Sequence, residues 1–412
     1  MTSKRPRVLW IGIAVVVTLG LVVVASPFGL DAAGSMFGWL RAGDKPKPAP
    51  IEGADLGGAG PGSLISAMTM PEFLDAVDNP DLRAARVAYR STNGDTGAET
   101  KVSASVFTPS GEPPTGGWPI VALAHGTTGI EKKCAPSLTD DLWDLADPVM
   151  NYIKSGYAVA LADYEGLGED GVHPYMDAKT AGLNVIDSVR ALRHAFPGTS
   201  TRWLAFGGSQ GGAAAWAADE QAKAYAPELE LMGAVANSPA ADLTGLVDKA
   251  QNTTLSADQM PLFLNLVEAV ARLHPDIDRG DFRSGAAATY WVPLLSCNPD
   301  TSSYRGTERM RLKPEEFEPR TADAANRLRK ALVKWALPQQ ALSAPLSVVY
   351  GGRDTFVDSE WTTKAIARQC ALGGVVDWDL QPDKGHGDID IAHQFDWLAD
   401  RFAGKPAVSQ CP

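Results

Sequence analysis

From residue 63 onward the chain alternates short apolar runs with longer stretches whose apolar positions recur every three to four residues. Arg86–Ser91 and Lys101–Thr108 read as an initial hairpin, and Pro119–Leu123, Tyr157–Ala162, Trp203–Phe206, Leu231–Ala236, Leu346–Tyr350 and Val375–Leu380 read as further strands. The later runs are continuous rather than alternating, the pattern of parallel strands covered on both faces. Between them, Ala181–Phe196 sets Val185, Val189, Leu192 and Phe196 on one helical face. The alanine-rich Gly211–Ala224 predicts a helix that can lie close to a sheet. After the last strand, Ile391, Phe395, Leu398 and Phe402 share one face of a final helix. Strands alternating with helices predict an α/β fold around a mostly parallel eight-stranded sheet.

One interval breaks this rhythm. About a hundred residues separate the strand ending near Asn237 from the one starting near Leu346, too many for a structureless loop in a compact domain. Met260–Leu273 and Thr321–Leu337 read as helices within it. Residues 243–344 are therefore expected to form an α-helical cap over the C-terminal edge of the sheet, where it would exclude water from the space above the strand ends. A peripheral helical decoration is the alternative.

The N-terminus follows a different pattern. Lys4, Arg5 and Arg7 make residues 1–7 a basic cytoplasmic flank, and residues 8–30 carry no charge. Their densest part, Val8–Ala25, would span roughly 27 Å as a helix, close to a bilayer core. A transmembrane signal-anchor is the expectation. A cleaved signal peptide, with an apolar region of only about 7–15 residues, is the alternative. Both readings export the body of the protein, to a membrane-held extracytoplasmic position or to the medium. Residues 31–62, dense in Pro and Gly, are expected to be a linker to a domain at 63–412.

Hydrophobic residues make up 45% of the chain, enough for a sizeable core. The net charge is −12 with no Lys/Arg-rich run, which argues against a nucleic-acid partner. Four cysteines, Cys134, Cys297, Cys370 and Cys411, suit two disulfides in an exported chain. Three pairings are open. Cys411 is the penultimate residue, and a bond to Cys370 would tie down the tail, leaving Cys134 with Cys297. None has metal-site spacing, so no metal is expected.

Between the run Trp203–Phe206 and the alanine-rich helix stands Gly207-Gly208-Ser209-Gln210-Gly211. A Gly-x-Ser-x-Gly between strand and helix reads as a nucleophile elbow. The turn is so sharp that side chains at the two flanking glycines would collide. By itself the motif is weakly specific, but the partners of such a serine can be sought independently. In this α/β-hydrolase arrangement the acid and the histidine follow the serine in chain order, on the loops after the last two strands. Those loops hold Asp354 and His386. Asp358 is the rival acid, but it stands as an N-cap before Ser359-Glu360-Trp361. His194, His274 and His393 fall in helices or in the inserted segment and read as surface or packing residues. An oxyanion needs two N–H donors. The amide after the serine, Gln210, is one. Thr127, in the glycine-bearing loop His125–Gly129, is the other. His125 reads as a brace for that loop. The Asp163–Gly168 segment, followed by His173, reads as a structural tight turn capped by Asp163, with a place on the rim of the acyl pocket as the alternative.

Three blocks together resemble a known family: His-Gly-Thr-Thr-Gly with Cys134-Ala135-Pro136-Ser137, Asp-Tyr-Glu-Gly-Leu-Gly with His173-Pro174-Tyr175, and Gly-x-Ser-Gln-Gly-Gly. Over roughly residues 60–412 the chain resembles the secretory lipases, α/β-hydrolases of fungi and actinobacteria. The resemblance implies a helical cap, hydrolysis of carboxylic esters including acylglycerols, and no cofactor. It also implies one disulfide from the loop near the oxyanion hole into the cap, which matches Cys134–Cys297. The long N-terminal apolar segment departs from a freely secreted enzyme, and the cap sequence carries no chain-length preference. The expected function is a serine-dependent lipase or esterase acting on an ester or lipid. Its rivals are a cell-envelope acyltransferase with the same triad, a serine peptidase, and a non-catalytic scaffold.

Overall fold

The computed structural model describes residues 46–412 apart from 78, 80–81 and 298–301. The expected membrane segment at residues 8–30 lies outside the described residues. Among those described, no helix is long and apolar enough to cross a membrane.

Nine strands form one sheet: β1 (Leu64–Thr69), β2 (Leu82–Thr92), β3 (Glu99–Pro109), β4 (Trp118–Ala124), β5 (Ala158–Ala162), β6 (Thr199–Gly208), β7 (Glu230–Asn237), β8 (Leu346–Gly351) and β9 (Val376–Gln381). Their spatial order is β1-β2-β3-β5-β4-β6-β7-β8-β9. Pairing is antiparallel from β1 to β5 and parallel from β5 to β9. The sequence predicts eight strands; the ninth is β1, so the elbow follows the sixth strand rather than the fifth. Leu64-Ile65-Ser66-Ala67-Met68-Thr69 has no clean alternation, and its extended shape comes from the ladder with β2. The expected linker also joins the fold earlier than residue 63. Ile51 N–H donates to Ala67 O (2.9 Å) and Thr69 N–H donates to Ala49 O (2.8 Å), with a bridge at Pro50. A sheet edge is where a proline-rich strand can dock, because the missing N–H faces outward.

The helices, in chain order, are α1 (Pro71–Val77), α2 (Ala146–Lys154), α3 (Ala178–Ala195), α4 (Gln210–Tyr225), α5 (Gly245–Gln251), α6 (Gln259–Leu273), α7 (Gly285–Leu294), α8 (Ser302–Arg309), α9 (Ala322–Trp335), α10 (Ser359–Ala371) and α11 (Ala392–Phe402). The buried central strands divide their side chains between two faces with period two. Val121, Leu123, Val159, Leu161, Leu204 and Phe206 face the side of α2 and α11. Ala122, Ala124, Ala160, Ala162 and Ala205 face α3 and α4. Small strand residues against an alanine-rich α4 let helix and sheet approach closely, so the elbow between β6 and α4 is held in a dense core.

Helices α5–α9 all fall between β7 and β8. Phe263 of α6 meets Phe282 and Phe317 edge-on, each pair with ring centroids 6.1 Å apart. Trp291 of α7 donates its indole N–H to Glu268 of α6 (2.7 Å). The expected helices at 260–273 and 321–337 are α6 and α9. Cys134–Cys297 fastens the loop after β4 to the end of α7, and Cys370–Cys411 holds the C-terminal tail to α10.

Candidate active site

The serine stands at the tightest point of the chain. Ser209 adopts φ 57°, ψ −119°, a conformation that L residues rarely occupy. A methyl group on Gly207 would lie 2.2 Å from the Gly211 carbonyl oxygen, and one on Gly211 would lie 1.9 Å from that of Ala124. Only glycine fits at either position. The turn lifts Ser209 above the C-terminal ends of β4 and β6 and aims the first amides of α4 at the same space. Gln210 opens that helix, so its amide N–H has no carbonyl one turn behind it.

His386 and Asp354 come from the loops after β9 and β8. His386 Nε2 lies 2.9 Å from Ser209 Oγ, and its Nδ1 lies 2.7 Å from Asp354 Oδ2. A neutral imidazole that donates from Nδ1 to the carboxylate presents its Nε2 lone pair to the serine hydroxyl. Asp354 Oδ1 accepts from the backbone N–H groups of Phe356 (2.8 Å) and Val357 (2.9 Å). The Asp354 side chain is 2% exposed and that of His386 is 17% exposed, so the pair is shielded but reachable. Ser238 Oγ donates to the His386 carbonyl (2.9 Å), and the Phe356 ring packs beside the imidazole at 4.9 Å. Asp358 occupies the N-cap position of α10, yet its carboxylate does not cap the helix. It accepts from Lys249 and Gln259, joining α10 to α5 and α6 (2.8 Å to each).

The loop carrying Thr127 is braced from below. His125 is buried with both ring nitrogens facing carbonyls, Nδ1 at 2.6 Å from Gly126 O and Nε2 at 3.2 Å from Asp163 O. Burial lowers its pKa, against the pull of the two carbonyls and of the Asp163 charge, which raise it. Tyr164 donates its hydroxyl to His125 O (2.9 Å), and Thr127 Oγ1 is within 2.8 Å of the Tyr175 hydroxyl. Asp163 does not cap its own turn as expected. Its carboxylate crosses to Ser103 on β3 (2.5 Å) and to Ser137 after the disulfide (2.9 Å from N–H, 2.5 Å from Oγ).

His173 has a contact that sequence could not reveal. Its Nδ1 donates to Glu165 O (2.8 Å), and its Nε2 accepts from the Gln210 carboxamide (3.0 Å). Burial pushes its pKa down to about 3, so the ring stays neutral and can accept. The two residues lie 37 apart in the chain, and no local pattern links them. His194 pairs with Asp55 at the surface (3.2 Å) and His274 packs beside Trp335. Neither is bonded to Ser209. Among the described residues, no cluster of His, Cys, Asp and Glu could hold a metal ion.

Two cavities meet at Ser209 and His386. One, of about 320 Å³, lies beneath the inserted helices, with Thr127, Tyr175, Pro261, Leu262 and Arg309 in its walls. The other, of about 470 Å³, lies on the α2 and α11 side.

A profile described as secretory lipase matches residues 146–410. The chain is similar to Lipase 6 of Candida albicans, 30% identical over 327 residues, covering 71% of this chain and 67% of that one. It is also 28% identical over 234 residues to a protein of Mycobacterium tuberculosis described as a probable inactive lipase, covering 53% of this chain and 50% of the relative. Its fold is similar to that of Candida antarctica lipase A in the closed state, with TM-score 0.68 and 16% identity, covering 88% of this chain and 87% of that one. The chain belongs to the secretory lipase family and is an α/β-hydrolase of the carboxylic ester hydrolase class.

Proposed function

We propose that this is an exported, serine-dependent lipase or esterase acting through an acyl-enzyme, with Ser209, His386 and Asp354 as its triad. The reading rests most on one observation: a continuous hydrogen-bonded path from Ser209 Oγ through His386 to Asp354, at 2.9 and 2.7 Å. In this reading His386 Nε2 takes the Ser209 proton as Oγ attacks the acyl carbon. Asp354 fixes the tautomer and stabilises the imidazolium. The Thr127 and Gln210 amides receive the oxyanion, and the positive end of α4 supports it. His386 then protonates the departing alkoxide, and water activated by the same nitrogen releases the acid. The acyl chain lies between the sheet and the inserted helices, which act as a cap. Two disulfides and the family membership support export, with the uncharged segment at residues 8–30 as anchor or signal.

The relative described as inactive makes turnover the property to test first. The test is hydrolysis of p-nitrophenyl esters from acetate to palmitate, with a fluorophosphonate label located by peptide mass spectrometry. The expected result is label on Ser209 and a Ser209→Ala variant reduced by about 10⁴-fold or more. A folded wild type that neither turns over nor labels would refute the proposal.

A further inference from the structure

The 470 Å³ cavity is not part of the helical insertion. Among the described residues its walls come from the ends of β4, β6 and β7, from the loop after β4, from α2, from the His386 loop and from α11, with nothing from residues 243–344. It is predominantly apolar, with Leu145, Pro148, Phe206, Ile389, Ile391 and Phe395 in its lining. Phe206 and Phe395 stack at 5.7 Å, and Tyr152 meets them at 5.9 and 6.1 Å. Phe395 is 45% exposed, so an aromatic ring stands at the open rim. An apolar cavity with a wet mouth beside a nucleophile is built to desolvate an apolar group.

Which arm of an ester it receives follows from proton transfer. The leaving oxygen must come within hydrogen-bond reach of His386 Nε2, so the alcohol arm departs toward the histidine loop. That loop (Gly387, Ile389, Ile391) walls the apolar cavity. It reaches the other cavity only at His386 itself. The smaller cavity, beneath α6, is left for the acyl arm.

We infer that the apolar cavity is the alcohol subsite and that it selects esters of apolar alcohols, long-chain or aromatic, over esters of small polar ones. This rests on the acyl-enzyme reading. The same pocket receives an apolar alcohol as acceptor: His386 takes the proton of R′OH, its oxygen attacks the acyl carbon, the bond to Ser209 Oγ breaks, and the proton returns to Oγ. The products are RCOOR′ and free serine, so atoms and charge balance.

The experiment uses the full-length protein and a fixed hexanoyl group on ethyl, butyl, octyl and benzyl alcohols, read as acid release. A second arm adds 1-octanol to p-nitrophenyl hexanoate turnover and measures octyl hexanoate against hexanoic acid. For the wild type, kcat/KM is expected to rise at least tenfold from ethyl to octyl, with octanol capturing the acyl group. Leu145→Trp, which fills the cavity, is expected to flatten that octyl-to-ethyl ratio at least fivefold. Its acyl-length ratio, taken on ethyl esters, is expected to keep its shape. Leu262→Trp, in the other cavity, is expected to do the reverse. Phe395→Ala, at the exposed rim, provides a second variant with little risk to folding and is expected to lower the benzyl-to-ethyl ratio about threefold. A wild type indifferent to alcohol length, or a Leu145→Trp that shortens the acyl preference instead, overturns the assignment. If no acyl-enzyme forms on Ser209 at all, the failure lies in the proposed function, and the subsite falls with it.

Discussion

At the residue scale the site depends on a few groups with no substitutes. Asp354 spends one oxygen on His386 and the other on two backbone amides, so it fixes the histidine and its own loop together. Asp354→Asn can donate to Nδ1 and hold the wrong tautomer. It is expected to lower kcat about 10⁴-fold with a small change in KM, measured by steady-state kinetics beside a thermal melt. Gly211→Ala would place a methyl 1.9 Å from the Ala124 carbonyl, where backbone rather than a flexible side chain must yield. It is expected to fail to fold or to lose activity with a lowered Tm; a variant with wild-type melt and rate would contradict the tight-turn argument. Both glycines, Ser209, Asp354 and His386 were legible because each occupies a position defined by a strand end. The roles of Asp163 and Asp358 were not, since their partners lie on elements far away in the chain.

Elements bring these residues together, and two connections between elements carry most of the consequence. His173 links the segment after β5 to the first residue of α4 through Gln210. Its folded pKa, about 3, lies below the ordinary value of 6.5, so the unfolded chain binds the proton more readily. Stability from this group is full above about pH 6.5 and is lost as pH falls toward 3. Relative to His173→Gln, which keeps an acceptor but does not titrate, the wild type is expected to lose about 1 kcal/mol per pH unit below pH 6 in urea denaturation. The sign is the test: a wild type gaining on the variant at low pH would contradict the buried neutral ring. The second connection is Cys134–Cys297, which closes 163 residues and links the Thr127 loop to the insertion. Cys134→Ala/Cys297→Ala is expected to cost up to about 5 kcal/mol by loop entropy and to lower kcat/KM. The Cys370→Ala/Cys411→Ala pair, neither member of which lines the cavities at Ser209, is expected to lower stability with kcat nearly intact. Equal kinetic effects of the two removals would show that the first bond does not position the loop.

For the whole molecule, the chain from Pro48 onward forms one compact unit. A chain starting at Pro48 is expected to melt and hydrolyse esters like the full-length protein. One starting at Ser63 lacks the backbone bonds of residues 49–51 to β1 and is expected to melt a few degrees lower, a loss of about 1 kcal/mol. Equal melting of the two would mean that the docked edge segment adds nothing. The α/β class, the tight turn at Ser209 and the loop positions of Asp354 and His386 were legible from sequence alone. They are local: period-two and helical repeats mark elements, and glycine marks turns that no other residue can make. The helical insertion was legible too, as an interval too long to be a loop. Only the tertiary structure decided the rest. The strand character of β1 comes from its ladder with β2 rather than from its own side chains. The Gln210–His173 contact and the braces of Asp163 join residues that share no local pattern. The second cavity exists because α2 and α11, far apart in the chain, flank one end of the sheet. Such features depend on distances across the fold, and the order of residues along a chain does not encode distance until the core has closed.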